Sequence, residues 1–204
     1  MAPRIVNKEQ KKNEIMLAAM RVFAAKGAAK AKMTDIATEA GIGKGTIYEY
    51  FHGKEDIFAA AFNYHFQTIE DATRATIISS KDPVTKLNLL VQHSLRIFLS
   101  DSGEFAEIMM DFWAEGIRNK DSKILKIIDL NQIYINYRKY ISDILAEGIQ
   151  SGIFRVLDTN AMSSVLIAAL DGLSLQWIMA RETFDLQKAA DIMLDGFLNG
   201  IIKS

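Results

Sequence analysis

The sequence predicts an all-α protein of about nine helices, with a small N-terminal domain and a larger C-terminal helical domain. Residues that break helices are rare, because the 204 residues include only 2 prolines and 12 glycines. Apolar residues make up 50% of the chain and recur at helical spacing, which predicts a sizeable core. No run of alternating apolar and polar residues leads into a hairpin dipeptide, so no sheet is expected.

The N-terminal domain, residues 1–53, is predicted to contain three helices. The first spans Lys8–Lys26, the second Met33–Ala40 and the third Lys44–Phe51. The stretch GIGKG between the last two predicts a tight turn in which Gly41 takes the left-handed conformation. Two short helices joined in this way indicate a helix-turn-helix, although the same arrangement occurs in many all-α proteins. The first helix carries an apolar stripe made of Ile15, Ala18, Ala19, Val22 and Phe23.

The C-terminal domain, residues 54–204, is predicted to contain the remaining helices. Aspartate is a preferred N-cap and proline suits the first helical position, so helix starts are expected where these residues stand. The caps are Asp82 followed by Pro83, either Asp158 or Thr159, and Asp185. The expected bounds are Lys54–Thr76, Pro83–Leu99, a stretch around 105–117, Ser122–Gln150, Thr159–Arg181 and Leu186–Ile202.

The composition excludes several classes of site. Cysteine is absent, which rules out disulfides, thiolate metal sites and a cysteine nucleophile. The histidines His52, His65 and His93 form no i, i+4 metal pair, and neither a Gly-x-Ser-x-Gly elbow nor a phosphate-binding glycine loop is present. We therefore expect no metal and no cofactor, and an enzyme is the weaker alternative.

The chain is expected to work in the cytoplasm without a membrane partner. Its first residues are polar and lack the apolar core of a signal peptide. The lack of cysteine fits a reducing compartment. No apolar stretch is expected to be long enough to span a bilayer.

Charge is distributed unevenly along the chain. Residues 1–55 contain 10 Lys/Arg and 6 Asp/Glu, a net charge of +4, so the rest of the chain carries −5 of the total of −1. A basic N-terminal region favours a polyanionic partner. A purely structural helical adaptor is a second alternative, but it would not explain flanking lysines and exposed phenols.

The third predicted helix has an outward face that packing does not require. Ile47 and the phenylalanine one turn later point inward, so Gly45 and Thr46 point outward and Tyr48 and Tyr50 flank the seam. In a DNA major groove, a glycine allows close approach, and hydroxyl groups can bond phosphates or base edges. The pattern therefore favours a DNA-reading helix.

The stretch MTDIATEAGIGKGTIYEYFHGKEDIF, which begins at Met33, resembles the N-terminal motif of the TetR (tetracycline-repressor) family of bacterial transcription regulators. The resemblance implies a ligand-responsive regulator, usually a repressor, that binds a pseudo-palindromic double-stranded DNA operator as a dimer. In one departure, Lys32 stands where the family usually has Ser or Thr, which leaves the second helix without its hydroxyl cap. The DNA-binding residues that the resemblance implies are Thr34, Lys44, Gly45, Thr46, Tyr48, Tyr50 and Lys54, the last as a phosphate-binding lysine.

The resemblance also implies an inducer pocket in the C-terminal domain. Large, adaptable side chains in its middle helices favour a hydrophobic or aromatic inducer, although each of them also fits an ordinary core. Asp171, which lies among apolar residues, fits either a hydrogen-bonded structural acid or a ligand partner. The expected pocket residues are Phe98, Met109, Phe112, Trp113, Tyr134 and Tyr137.

The last two helices are predicted to form a homodimer interface. They mix Leu, Ile and Val with small residues, among them Gly172, Gly196 and Gly200. Small residues allow helices to approach closely, and the larger apolar ones supply burial. Two such helices from each of two subunits would form a four-helix bundle.

Overall fold

The structure, a computed structural model, describes residues 8–99, 108, 110, 114, 118 and 128–203. Its helices confirm the all-α prediction, and the only extended pairing among the described residues is a single antiparallel bridge between Phe154 and Ile202. The helices are α1 (Lys8–Lys26), α2 (Met33–Glu39), α3 (Lys44–Tyr48), α4 (Lys54–Ser79), α5 (Pro83–Leu99), α6 (Leu130–Gln150), α7 (Thr159–Met179) and α8 (Leu186–Ile201).

The expected count of about nine helices is slightly too high for the described part of the chain. Most of the helix expected around 105–117 lies outside the described residues. The prediction of one continuous helix from Ser122 to Gln150 is wrong, because Ile128 and Asp129 are not helical and α6 begins at Leu130. An aspartate favours the position just before a helix over the helix interior, which accounts for the later start.

The chain divides into two compact units. The first, called the head unit, comprises Met1–Gln67 with Ser102–Asp129, and the second, the body unit, comprises Thr68–Asp101 with Leu130–Ser204. The division falls within α4. The functional boundary that the sequence predicts after residue 53 stays a prediction.

The head unit has a core built on one face of α1. The predicted stripe of that helix is buried, and Met16 is buried with it. The Phe23 ring meets the Phe58 ring of α4 edge-on, with 5.5 Å between the ring centroids. Ile36 of α2 and Ile47 of α3 are fully buried, so each short helix is held in the core by its own isoleucine.

The turn between α2 and α3 is built around Gly41. Its φ of 64° lies in the left-handed region, as predicted, where glycine carries no steric penalty. The N–H of Ile42 donates to the carbonyl of Ala37, and the N–H of Gly41 donates to that of Thr38. This pair of bonds is a Schellman motif, which ends α2 sharply and directs the chain into α3.

The body unit is a helical domain whose α5 to α8 share one apolar core. The predicted caps are present at Asp82, at Asp185 and, for α7, at Asp158. Gly152, with a φ of 78°, ends α6 by the same motif that ends α2. The chain then turns back so that the Phe154 ring packs against Gly148, where an added Cβ would lie 2.0 Å from a ring atom.

The expectation that no apolar stretch is long enough to span a bilayer is wrong for helix α7. By length and composition, this helix could cross a membrane. Leu166, Ile167 and Leu170 of this helix are nevertheless buried in the core of the body unit. A core helix passes the same test of length and composition, so the property does not by itself indicate a membrane protein.

Candidate DNA-binding surface and ligand site

Helix α3 is shorter than predicted. It ends at Tyr48, and Tyr50 lies in the turn that follows instead of on the helix. The N–H groups of Glu49 and Tyr50 donate to the carbonyls three residues earlier, which tightens the last turn. Ile47 is fully buried and fixes which side of α3 faces outward.

The outward side of α3 carries the predicted side chains. Lys44 and Gly45 are exposed, and Tyr48 exposes 45% of its surface. Thr46 and Tyr50 are half-buried. The exposure of Tyr48 leaves its phenol ring accessible to a partner outside the chain.

Gly45 is not explained by the fold of the chain. Its backbone is not in the left-handed region, and a Cβ added to it would meet no atom within 4 Å in the part of the chain that the structure describes. A glycine inside a helix lowers stability by about 1 kcal/mol relative to alanine. The fold itself would therefore be served at least as well by alanine at this position.

The start of α2 is organised by Asp35, which sequence reasoning missed. Its Oδ2 accepts the backbone N–H of Lys32 at 3.0 Å, and its Oδ1 lies 3.0 Å from Nζ of Lys26. The Lys26 ammonium, and next the Lys32 N–H, hold the pKa of the Asp35 carboxyl below its ordinary 3.8. An acid three residues after the cap position was the available signal. Thr34, next to it, is exposed.

Lys54 makes two hydrogen bonds inside the head unit. Its Nζ donates to the carbonyl oxygen of Ala28 at 2.8 Å and to that of Ala29 at 2.7 Å. Both carbonyls belong to the turn that joins α1 to α2. An ammonium group has three N–H donors, so the protein itself uses two of them. The phosphate contact implied for Lys54 stays a prediction.

Four basic side chains of the head unit, on α1, on the α1–α2 turn and on α3, differ in their partners. Nε of Arg21 lies 2.7 Å from Glu39, and this pair, like the Lys26 pair, joins α1 to α2. Lys30 and Lys44 make no ion pair with any residue that the structure describes. These two lysines therefore carry positive charge beside α2 and α3 that no described acid pairs with.

Two of the expected pocket residues have described side chains, and both are hydrogen-bonded between helices. The Tyr134 hydroxyl donates to Oδ2 of Asp171 at 2.8 Å, which joins α6 to α7. The Tyr137 hydroxyl bonds the Ser94 hydroxyl, which joins α6 to α5. Nothing in the sequence separates Ser94 from other helical serines. Met109, Phe112, Trp113 and the side chain of Phe98 lie outside the described residues.

Burial controls the ionisation of this cluster. It raises the pKa of Tyr137 to about 12; the Ser94 hydrogen bond opposes the shift and the charge of Asp171 adds to it. Burial also raises the pKa of Asp171 above its ordinary 3.8, against the hydrogen bond from Tyr134. Asp171 is thus a hydrogen-bonded acid within the domain, and the cluster offers neutral phenols beside one acid.

A separate cleft of about 250 Å³ lies elsewhere in the body unit. Ile78, Tyr140 and Ile144 supply its apolar wall, and the ion pair of Lys86 with Glu147 lies at its edge. Tyr134 and Tyr137 do not line it. The cleft and the tyrosine cluster are therefore two different places.

The chain has a helix-turn-helix unit near its N-terminus and a helical domain after it. This arrangement is typical of transcription regulators that combine a DNA-binding domain with a second helical domain. The chain matches the family model for bacterial regulatory proteins of the TetR family over residues 15–61. It matches the model for the C-terminal domain of BetI-type transcriptional repressors over residues 83–202, which is more than half of its length. The chain belongs to the TetR family and has a BetI-type C-terminal domain; it is a DNA-binding transcriptional regulator and not an enzyme.

Individual relatives align with nearly the whole chain. The fatty acid metabolism regulator protein of Bacillus subtilis (strain 168) is 26% identical over 95% of this chain and 97% of its own. The structure of the Bacillus subtilis regulator FadR in complex with stearoyl-CoA is 26% identical, covers 93% of this chain and 98% of its own, and superimposes with a TM-score of 0.78. A putative regulator from Saccharomonospora viridis in complex with choline, 23% identical over 96% of this chain and 100% of its own, has a TM-score of 0.83 and shows the shared fold.

Proposed function

We propose that the chain is a repressor that binds a pseudo-palindromic operator as a homodimer and leaves it when a small hydrophobic or aromatic inducer binds the C-terminal domain. Family membership shows that the chain is a DNA-binding regulator of transcription. The operator symmetry, the dimer, the inducer and a cytoplasmic location form the proposal.

The observation that carries the DNA contact is the outward side of α3. Gly45 is not needed by the fold, yet it leaves room for another backbone to come close, and Tyr48 stands exposed one turn away. Lys44 adds a positive charge at the same helix, and no acid among the described residues pairs with it. The residues proposed to contact the operator are Thr34, Lys44, Gly45, Thr46, Tyr48, Tyr50 and, for a phosphate, Lys54.

The operator is best identified by selecting bound duplexes from a random DNA pool with the full-length protein. The proposal expects inverted half-sites whose centres are about 34–36 Å apart, one turn of DNA. Tyr48→Ala should then weaken binding to the selected site at least about tenfold. Tyr64→Ala is the control, because Tyr64 is also an exposed tyrosine of the head unit, at 54%, but belongs to α4. Wild-type affinity of the Tyr48 variant would reject the assignment.

The dimer proposal rests on an apolar stripe that the described chain does not cover. Along α7, Val165, Leu175 and Met179 are 54%, 38% and 74% exposed, at a spacing that puts them on one side with Gly172. On α8, Ile192 is 64% exposed. An exposed apolar stripe of this length is typical of a surface that meets a partner, here a second copy of the chain.

The glycines of the last two helices support the same proposal. A Cβ added at Gly172, Gly196 or Gly200 would meet no atom of the described residues within 4 Å. Close packing within one chain therefore does not require a small residue at these positions. A helix from a second copy, approaching closely, would require it.

Sedimentation velocity at micromolar concentration tests the dimer. Val165→Glu should place a charge in the interface and yield monomers. Val156→Glu, at a position that is 85% exposed but lies on the segment before α7, should leave the dimer intact. A wild-type monomer, or a dimer that Val165→Glu does not disturb, would contradict the proposal.

The inducer is proposed to bind beside Tyr134 and Tyr137 of the body unit. Phe98, Met109, Phe112 and Trp113, whose side chains lie outside the described residues, are also expected to contact it. A ligand at a hundred times its Kd stabilises a protein by about 2.7 kcal/mol, which would raise the Tm by about 5–10 °C. Such a shift is expected with a hydrophobic ligand such as stearoyl-CoA or with an aromatic one, together with release of the selected DNA.

The acid of Asp171 supports a second candidate, an inducer with a positive charge. Phenol rings and a carboxylate together suit a quaternary ammonium group. A Tm shift with choline that Asp171→Asn abolishes, and no shift with apolar ligands, would favour this candidate over the first.

A further inference from the structure

Lys54 occupies a position that helix electrostatics disfavour. It is the first residue of α4, where the partial positive charge of the helix N-terminus repels a cation and attracts the acids Glu55 and Asp56 that follow. The two carbonyl bonds of its ammonium group offset this repulsion. Hydrogen bonds to an ionised donor are about twice as strong as those between neutral groups.

The carbonyls that Lys54 binds belong to the turn that sets where α2 begins. This turn follows Gly27, whose φ of 76° ends α1, and it is closed by a bond from the N–H of Ala31 to the carbonyl of Gly27. Lys32, the cap residue of α2, comes directly after the buried Ala31. A shift of the turn therefore moves the start of α2, and α3 is joined to α2 by the rigid turn at Gly41.

We propose that Lys54 is a positioning residue for DNA reading: its ammonium group fastens the first turn of α4 to the α1–α2 turn and so holds α2 and α3 in the orientation that the operator requires. This inference rests on the proposed operator contacts of α3. It differs from the phosphate role implied for Lys54, because the bonds exist within the protein and act before any DNA is bound.

Hydrogen exchange of the DNA-free protein tests the tie without reference to DNA. In Lys54→Met, the amides of Ala31, Asp35 and Ile36, all hydrogen-bonded in or just after the turn, should exchange about tenfold faster or more. Lys44→Met is the matched control, since it removes an exposed lysine of the same unit and should leave these amides unchanged. A Lys54→Met protein that does not fold, when Lys44→Met does, also assigns Lys54 to the structure of the head unit.

Binding selectivity separates positioning from a phosphate contact. Loss of a phosphate contact weakens binding to all sequences about equally, whereas a displaced reading helix weakens binding to the selected site far more than to a scrambled duplex. We expect the ratio of the two affinities, measured well below the Tm of each variant, to fall at least about tenfold in Lys54→Met. Lys44→Met should lower both affinities and keep the ratio.

Two results would overturn the inference. Unchanged exchange at Ala31, Asp35 and Ile36 would mean that the ammonium does not hold the turn. Faster exchange with an unchanged affinity ratio would mean that the tie does not position α3 for DNA. If the wild-type protein selects no DNA site at all, the proposed function fails instead, while the exchange result still reports on the tie.

Discussion

The head and body units differ in where their polar side chains lie and in what they bond. In the head unit, the ion pairs of Arg21 and Lys26 lie at the surface, and Tyr48 is open to solvent. In the body unit, Ser163 and Ser174 are buried, and the phenols of Tyr134 and Tyr137 bond acid and hydroxyl groups between helices. The exposed residues of α3 that are proposed to read DNA, Lys44, Gly45 and Tyr48, are therefore separate from those that pack, whereas the residues proposed to meet an inducer also hold their domain together.

This difference predicts how substitutions behave in each unit. On the outward side of α3, a change should remove DNA binding and leave the free energy of unfolding alone. In the body unit, a change near the expected pocket should alter stability and ligand response together, because burying a polar group is favourable only while its hydrogen bond is kept.

The largest expected effect is that of Gly148→Ala in the body unit. The added Cβ would lie 2.0 Å from the Phe154 ring, so the ring and the chain after α6 must shift. Overpacking of this kind destabilises by about 1–3 kcal/mol, which corresponds to a Tm lower by about 2–12 °C. Thermal unfolding followed by circular dichroism measures it, and a wild-type Tm would show that the contact is easily relieved.

An intermediate effect is expected for Asp171→Asn. This substitution tests the contrast between the two units because Asp171 is a half-buried acid of the body unit. Burial raises the pKa of Asp171 in the folded state. The protonated acid therefore contributes stability that is fully present below pH 3.8 and is lost as the pH rises through the raised pKa. Asparagine can still accept the Tyr134 hydroxyl. At pH 7 the variant should be more stable than wild type, by on the order of 1 kcal/mol, and this gain should shrink toward pH 4. A gain that does not depend on pH would contradict the account.

The smallest effect is expected for Asp35→Asn at the surface of the head unit. The pKa of Asp35 is lowered, so its stabilising contribution is present above pH 3.8 and is lost as pH falls through the lowered value. The variant keeps an acceptor for the Lys32 N–H and loses the charge that pairs with Lys26. Urea unfolding at pH 7 should show a slight loss, and the two proteins should become equal in acid. A difference between the two proteins that persists in acid would contradict this account.

Local features were predictable from the sequence to the extent that local chemistry decides them. The buried stripe of α1, the left-handed Gly41 and the aspartate caps follow from helical spacing and from the preferences of single residues. The end of α3 at Tyr48 depends on how neighbouring segments pack, and the pattern of apolar residues does not encode that. The start of α6 at Leu130 had a local signal, Asp129, that the prediction did not use.

Pairings between distant residues were out of reach of the sequence. Ser94 with Tyr137 and Lys54 with the α1–α2 turn join segments that come together only in the fold. For the same reason, the outward residues of α3 could be chosen from their spacing, whereas the expected pocket residues could not be told from ordinary core. The head unit was thus the more predictable half of the molecule.

The most direct test of the central claim, that the outward side of α3 serves DNA and not the fold, is the operator affinity of Gly45→Ala beside its thermal stability. The account predicts an unchanged or slightly higher Tm, since helical alanine is favoured over glycine by about 1 kcal/mol, with affinity for the selected site lowered at least about tenfold because the methyl group occupies the space where DNA approaches. Wild-type affinity, or a loss of stability that accounts for the weaker binding, would contradict it.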